Sequence, residues 1–94
     1  MDINFEYDAV KASDRLEIMA AQNLEKLLEK YDFIIRADVF FRKENTSSPD
    51  TGMICKIRLS APGPQLFAEA SHGNFEASIA ESVSDLERQL RKRK

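Results

Sequence analysis

The last twenty residues, FEASIAESVSDLERQLRKRK from Phe75 to Lys94, constrain the fold of this chain more than any other stretch. Phe75, Ile79, Val83, Leu86 and Leu90 recur at spacings of four, four, three and four, the period of a helix that buries one face. At 100° per residue they fill an arc of about 80°, with Arg88, Arg91 and Lys92 on the far side. One segment therefore carries a core seam and a cationic face, and the chain before it must build something for that seam to lie on.

Residues 3 to 7 alternate strictly, Ile3, Phe5 and Tyr7 against Asn4 and Glu6, as in a half-buried strand. After Asp8 the period becomes helical, with Leu16, Ala20, Leu24, Leu27, Leu28 and Tyr31 on one arc. Ser13 or Asp14 is the expected N-cap, and Asp14 with Glu17 has the spacing of a capping box. Beside the apolar arc runs a basic edge of Arg15, Lys26 and Lys30. The segment from Ile34 to Lys43 is β-branched and aromatic, with Ile35, Ala37, Val39 and Phe41 on one face and Ile34, Arg36, Asp38, Phe40 and Arg42 on the other. A polar loop, ENTSSPDTG from Glu44 to Gly52, leads to a second alternating strand with Met53, Cys55, Ile57 and Leu59 inward. The turn APGP, Ala61 to Pro64, leads to a third in which Leu66, Ala68 and Ala70 point inward. Connections this short imply an antiparallel meander. Asn74 is placed to cap the closing helix.

The element order is thus β-α-β-β-β-α, an α+β fold in one domain over residues 1–94. The economical arrangement packs both helices side by side on one face of a four-stranded sheet. The other face keeps Ile34, Phe40, Ile54 and Phe67, more apolar surface than a free sheet needs, and is expected to serve a partner or a weak homodimer.

Charge gives the first indication of function. The formal net charge is −2, but residues 88–94 hold five cations and no acid, which leaves nine of the fourteen Lys and Arg against sixteen acids elsewhere. Such a dipole turns the tail toward a polyanion. Cations at a helix C-terminus also complement the helix dipole, which accounts for one or two of the five. Arg93 would point along the apolar seam if the helix stayed regular, so the final RKRK is expected to fray into a short arm in which Arg93 and Lys94 reach phosphates.

Reactive groups are scarce. One Cys and one His cannot supply a zinc site, Cys55 falls on the inward face of a strand, and the three Gly stand apart at 52, 63 and 73, which forms no phosphate loop. The chain is expected to be a non-enzyme without cofactor or metal. No apolar run approaches a membrane span, and Met1 to Asp8 lack the layout of a signal peptide, so a cytoplasmic protein is expected.

The order of elements and several strings resemble one family, the ribosome hibernation promoting factors and the ribosome-associated inhibitor A, also called sigma-54 modulation proteins. The strings are Lys26-Leu27, Tyr31-Asp32-x-Ile34, Ala37-Asp38-Val39, Leu59-x-x-Pro62-Gly63 and Leu86-x-Arg88-Gln89-Leu90-x-Lys92. The resemblance implies a stationary-phase or stress factor. It would bind RNA of the small ribosomal subunit in the channel for messenger RNA and transfer RNA and so block translation. The positions matching the family's basic pattern are Lys26, Lys30, Arg42, Arg88, Arg91 and Lys92. Asn23 and Phe33 stand where members often carry Lys and Arg, and Ala80 where they carry Asp, so the tail is expected to contribute more of the binding than the first helix. A chain ending at Lys94 looks like the short form of the family. A protein-interaction module using the open sheet face and a generic double-stranded RNA binder are the other readings.

Overall fold

The computed structural model describes residues 2–92; Met1, Arg93 and Lys94 lie outside the described residues, and the expected contacts of Arg93 and Lys94 lie there with them. The elements are β1 (Asp2–Asp8), α1 (Asp14–Lys30), β2 (Arg36–Lys43), β3 (Met53–Ser60), β4 (Leu66–His72) and α2 (Phe75–Lys92). The sheet order is β1-β2-β3-β4. β2, β3 and β4 form the antiparallel meander, and β1 lies parallel to β2, with Phe5 opposite Val39. A parallel neighbour requires a crossover. Helix α1 is that crossover.

Each helix starts where its sequence provides an acceptor. The Ser13 hydroxyl accepts from the Leu16 amide at 3.4 Å, so Ser13 and not Asp14 is the cap. Glu17 does not close a capping box, because its carboxylate accepts the Tyr7 hydroxyl at 2.6 Å and so ties α1 to β1. Burial and then this bond to Glu17 raise the Tyr7 phenol above its ordinary value. At α2 the Asn74 side chain accepts from the Ala77 amide at 2.8 Å.

The core lies between the helices and one sheet face. Ala37, Val39 and Phe41 of β2 and Cys55, Ile57 and Leu59 of β3 are fully buried beneath Ala20, Leu24 and Leu27 of α1 and Ile79, Leu86 and Leu90 of α2. Phe41 joins the layers: its ring stacks on Tyr7 at 5.5 Å and meets Phe75 of α2 edge-on at 5.4 Å. Truncating such a side chain costs about 3–5 kcal/mol. Two buried serines set the approach of α2. The Ser82 hydroxyl donates to the Cys55 carbonyl at 2.8 Å, and the Ser78 hydroxyl donates to the Met53 carbonyl. Small side chains let the helix come close, and each hydroxyl meets a strand carbonyl on the face that α2 covers.

Three apolar positions differ from the sequence reading. Ile34 was expected on the open face but is buried in the core, because the chain turns after α1 (the Ile34 amide bonds to the Tyr31 carbonyl) and β2 begins only at Arg36. Ile35, expected inward, is 63% exposed before the strand starts. Ile54 does lie on the open face, yet it is buried there between Arg42 and Ser71 in the register.

Candidate nucleic-acid interface

The cations of the two helices meet at one end of the molecule. Lys30, in the last turn of α1, lies 3.7 Å from Glu87 of α2, which brings the C-terminal ends of both helices together. Lys26 is one turn behind Lys30 on the same edge, rotated roughly 120° from the buried stripe of α1. Arg91 is one turn beyond Glu87 on the flank of α2 that faces α1. Arg88 points away from the sheet, and Lys92 falls on the flank nearer β4. Lys26, Lys30, Arg88, Arg91 and Lys92 are all exposed. Lys26, Arg91 and Lys92 have no salt-bridge partner among the described residues, whereas Arg88 contacts Asp85 at 3.3 Å. Ser84 and Ala80, one and two turns back from Arg88 on the outer side of α2, are exposed and small, which leaves room for a phosphate backbone.

Helix dipoles contribute at this end as well. Both C-termini present negative partial charge, and Lys30, Arg91 and Lys92 occupy the last turns, where cations are favoured. That pairing stabilises the helices without consuming the charges, since a dipole end is worth about half an elementary charge.

Two expected positions stand apart from this cluster. Arg15 is exposed near the start of α1, about 16 Å along the helix from Lys26. Arg42 is on the sheet face opposite the helices and near the C-terminal end of β2, where it pairs with Glu44 at 2.9 Å and Glu69 at 3.7 Å. Helix cations and Arg42 therefore cannot share one surface.

Charge on the open sheet face is organised around a buried acid. Asp38, 4% exposed, accepts from Arg36 at 2.9 Å and from two nitrogens of Arg58 at 3.1 and 2.9 Å. Burial pushes its carboxyl up, but the hydrogen bonds from Arg58 and Arg36 and their charges outweigh that and hold it below the ordinary value of 3.8. Arg58 also lies 5.8 Å over the Phe40 ring, and Lys56 lies 5.7 Å over Phe67. The sequence alternation placed Asp38 on this face but did not signal that it would be buried with two arginines.

Among the described residues Cys55 and His72 are not brought together. Burial, opposed only by a hydrogen bond with Ser82, pushes the Cys55 thiol up to about 12, where almost no thiolate forms at neutral pH. His72 faces Glu81 at 2.6 Å. Among the described residues no group of three or more His, Cys, Asp or Glu is arranged to hold a metal ion, and no helix is long and apolar enough to cross a membrane.

A sequence model of one family, described as Sigma 54 modulation protein / S30EA ribosomal protein, matches residues 3–94. The chain belongs to this family. That description names a modulator and a ribosomal protein and no reaction. Among solved structures, the chain resembles a ribosomal subunit interface protein from Coxiella burnetii at 21% identity and a TM-score of 0.82, over 98% of this chain and 96% of that one. The N-terminal domain of Protein Y from Thermus thermophilus is similar at 19% identity and a TM-score of 0.81, over all of both chains. At these identities the likeness shows the shared fold. No curated protein matches the chain.

Proposed function

We propose that this domain binds the small ribosomal subunit through its RNA, in the channel that messenger RNA and transfer RNA otherwise occupy, and inhibits translation by occlusion. The observation that carries the reading is the convergence of Lys26, Lys30, Arg88, Arg91 and Lys92 at the joined C-terminal ends of α1 and α2. Membership of a family named for a ribosomal protein supplies the kind of polyanion. The contacts are to phosphates: Gln89, the amide between Arg88 and Arg91, donates to the Phe67 carbonyl at 2.8 Å instead of turning outward to read bases. Arg93 and Lys94 follow Lys92 in the sequence and bring two more cations. Arg15 and Arg42 contribute at most as separate contacts. The protein acts in the cytoplasm, where ribosomes are, in stationary phase or stress, with no cofactor and no chemical step.

Competition for the channel tests this reading. Small subunits preloaded with messenger and transfer RNA are expected to exclude the protein, and vacant subunits to retain it in a pelleting assay. Equal binding to both would place the site outside the channel. Equally tight binding to any free duplex RNA would favour a generic double-stranded RNA binder, which shares the plan of a sheet with two helices.

A further inference from the structure

Large apolar side chains are exposed at four positions among the described residues, Ile18, Phe33, Ile35 and Phe67, and two of the four share the connection between α1 and β2. That connection leaves α1 directly after Lys30, the residue that reaches Glu87 of α2. Its backbone is fixed along its length: the Tyr31 amide bonds to the Leu27 carbonyl at 3.1 Å, the Ile34 amide to the Tyr31 carbonyl at 3.3 Å and the Ile35 amide to the Ser60 carbonyl at 2.8 Å. Ile34 is drawn into the core, which leaves Phe33 and Ile35 outside it at 42% and 63% exposure. The Phe33 ring meets the Tyr31 ring edge-on at 6.1 Å and 76°, and Tyr31 packs against the core. A ring is thus held at the surface of a fixed turn. Three residues of chain separate it from Lys30, a reach of at most about 11 Å.

Charge indicates what this turn accepts. No cation lies between Lys30 and Arg36, and Arg36 is turned to Asp38 at 2.9 Å. Asp32 is exposed beside the ring. A phosphate is therefore attracted to the helix ends and repelled at the turn, whereas a base carries no charge and offers an apolar face. We infer that Phe33, with Ile35 beside it, is a stacking platform for an unpaired base of the RNA strand whose phosphates lie on Lys26, Lys30 and Arg91. Stacking uses the face of the base and leaves its edges unread, so it tolerates any sequence. Bases of a duplex are already stacked on one another, and the platform selects a single strand. The inference rests on the RNA-binding reading of the joined helix ends and adds a preference for unpaired nucleotides.

Titration of a short single-stranded oligoribonucleotide carrying 2-aminopurine tests it, at about 50 and about 200 mM salt. Wild type is expected to quench the probe. Phe33→Leu, which keeps apolar bulk without a ring, is expected to leave the probe bright and bind the single strand about fivefold more weakly, with an unchanged salt slope. Binding of a duplex is expected to be the same for both proteins, and Phe33→Tyr to behave as wild type. Circular dichroism checks that the variants are folded. An unquenched probe on wild type overturns the inference whatever the variants do, and so does wild type that fails to bind the single strand at the lower salt. Equal affinity of wild type and folded Phe33→Leu for the single strand, or an equal loss on the duplex, overturns it as well. Pelleting with small subunits separates this from the channel reading. If neither protein pellets while the oligonucleotide results hold, the channel reading fails and the platform stands. Weaker pelleting of Phe33→Leu with no loss on the oligonucleotide would give the ring to a protein contact and overturn the platform alone.

Discussion

Replacing Glu87 with Gln should tighten binding to the small ribosomal subunit, although it removes an ion pair. Glu87 lies 3.7 Å from Lys30, and their side chains are 33% and 62% exposed, so the pair contributes only about 0.2–1 kcal/mol to folding. Its effect on an incoming phosphate is opposite in sign. A carboxylate about 7 Å from a phosphate in water repels it by roughly 0.6 kcal/mol, close to a threefold change in affinity. Releasing Lys30 adds one cation for phosphate contact, which steepens the dependence of log K on log salt by about 0.7–0.9. Together these give about three- to tenfold tighter binding at about 100 mM salt. Filter binding to purified small subunits at three salt concentrations measures both quantities. Glu25→Gln, exposed on the side of α1 away from Lys30 and α2, is the control and should change much less. Unchanged or weaker binding by Glu87→Gln would refute the placement of RNA against the joined helix ends.

Other perturbations follow from the same structure. Changing Arg88, Arg91 and Lys92 together to Ala should leave the fold intact, since all three are exposed, and reduce the salt slope by about 2 to 3; a triple variant with the wild-type slope would reduce these residues to dipole complements. Asp38→Asn should destabilise the domain by about 1–2 kcal/mol at neutral pH, less than for a fully buried pair because Arg36 and Arg58 remain half-exposed. Because the folded Asp38 pKa is depressed, its stabilisation is complete above the unfolded value and declines as pH falls through 3.8 toward the lowered folded value. Urea denaturation should therefore show wild type and Asp38→Asn converging in acid, and a constant gap down to low pH would contradict the clamp.

Periodicity made the elements legible. The spacing of Phe75, Ile79, Val83, Leu86 and Leu90 and the alternation through Met53–Ser60 needed no tertiary information, and neither did the cap offered by Asn74, whereas the choice of Ser13 over Asp14 came from the structure. Contacts between elements were harder to read. Ser78 and Ser82 look like ordinary polar helix positions until β3 lies beneath them and offers its carbonyls. Ile34 and Ile54 were assigned to the open face, and burial of one by a turn and of the other among strand neighbours depends on packing that the alternation does not encode. At the candidate site, Lys26, Lys30, Arg88, Arg91 and Lys92 were found as cations of two helices, while the pairing of Lys30 with Glu87 needed the relative direction of those helices. Arg42 was named for the site by resemblance alone; strand alternation puts it opposite Phe41, and the structure places it on the face away from the helices.

Co-sedimentation of the wild-type protein with purified small ribosomal subunits tests the central claim most directly. With about five phosphate contacts the slope is about −4, so raising salt from about 50 to 200 mM should weaken binding roughly 250-fold. The protein is expected in the pellet at the lower salt and in the supernatant at the higher. Absence from the pellet at both, or retention that salt does not change, would contradict an electrostatic plug.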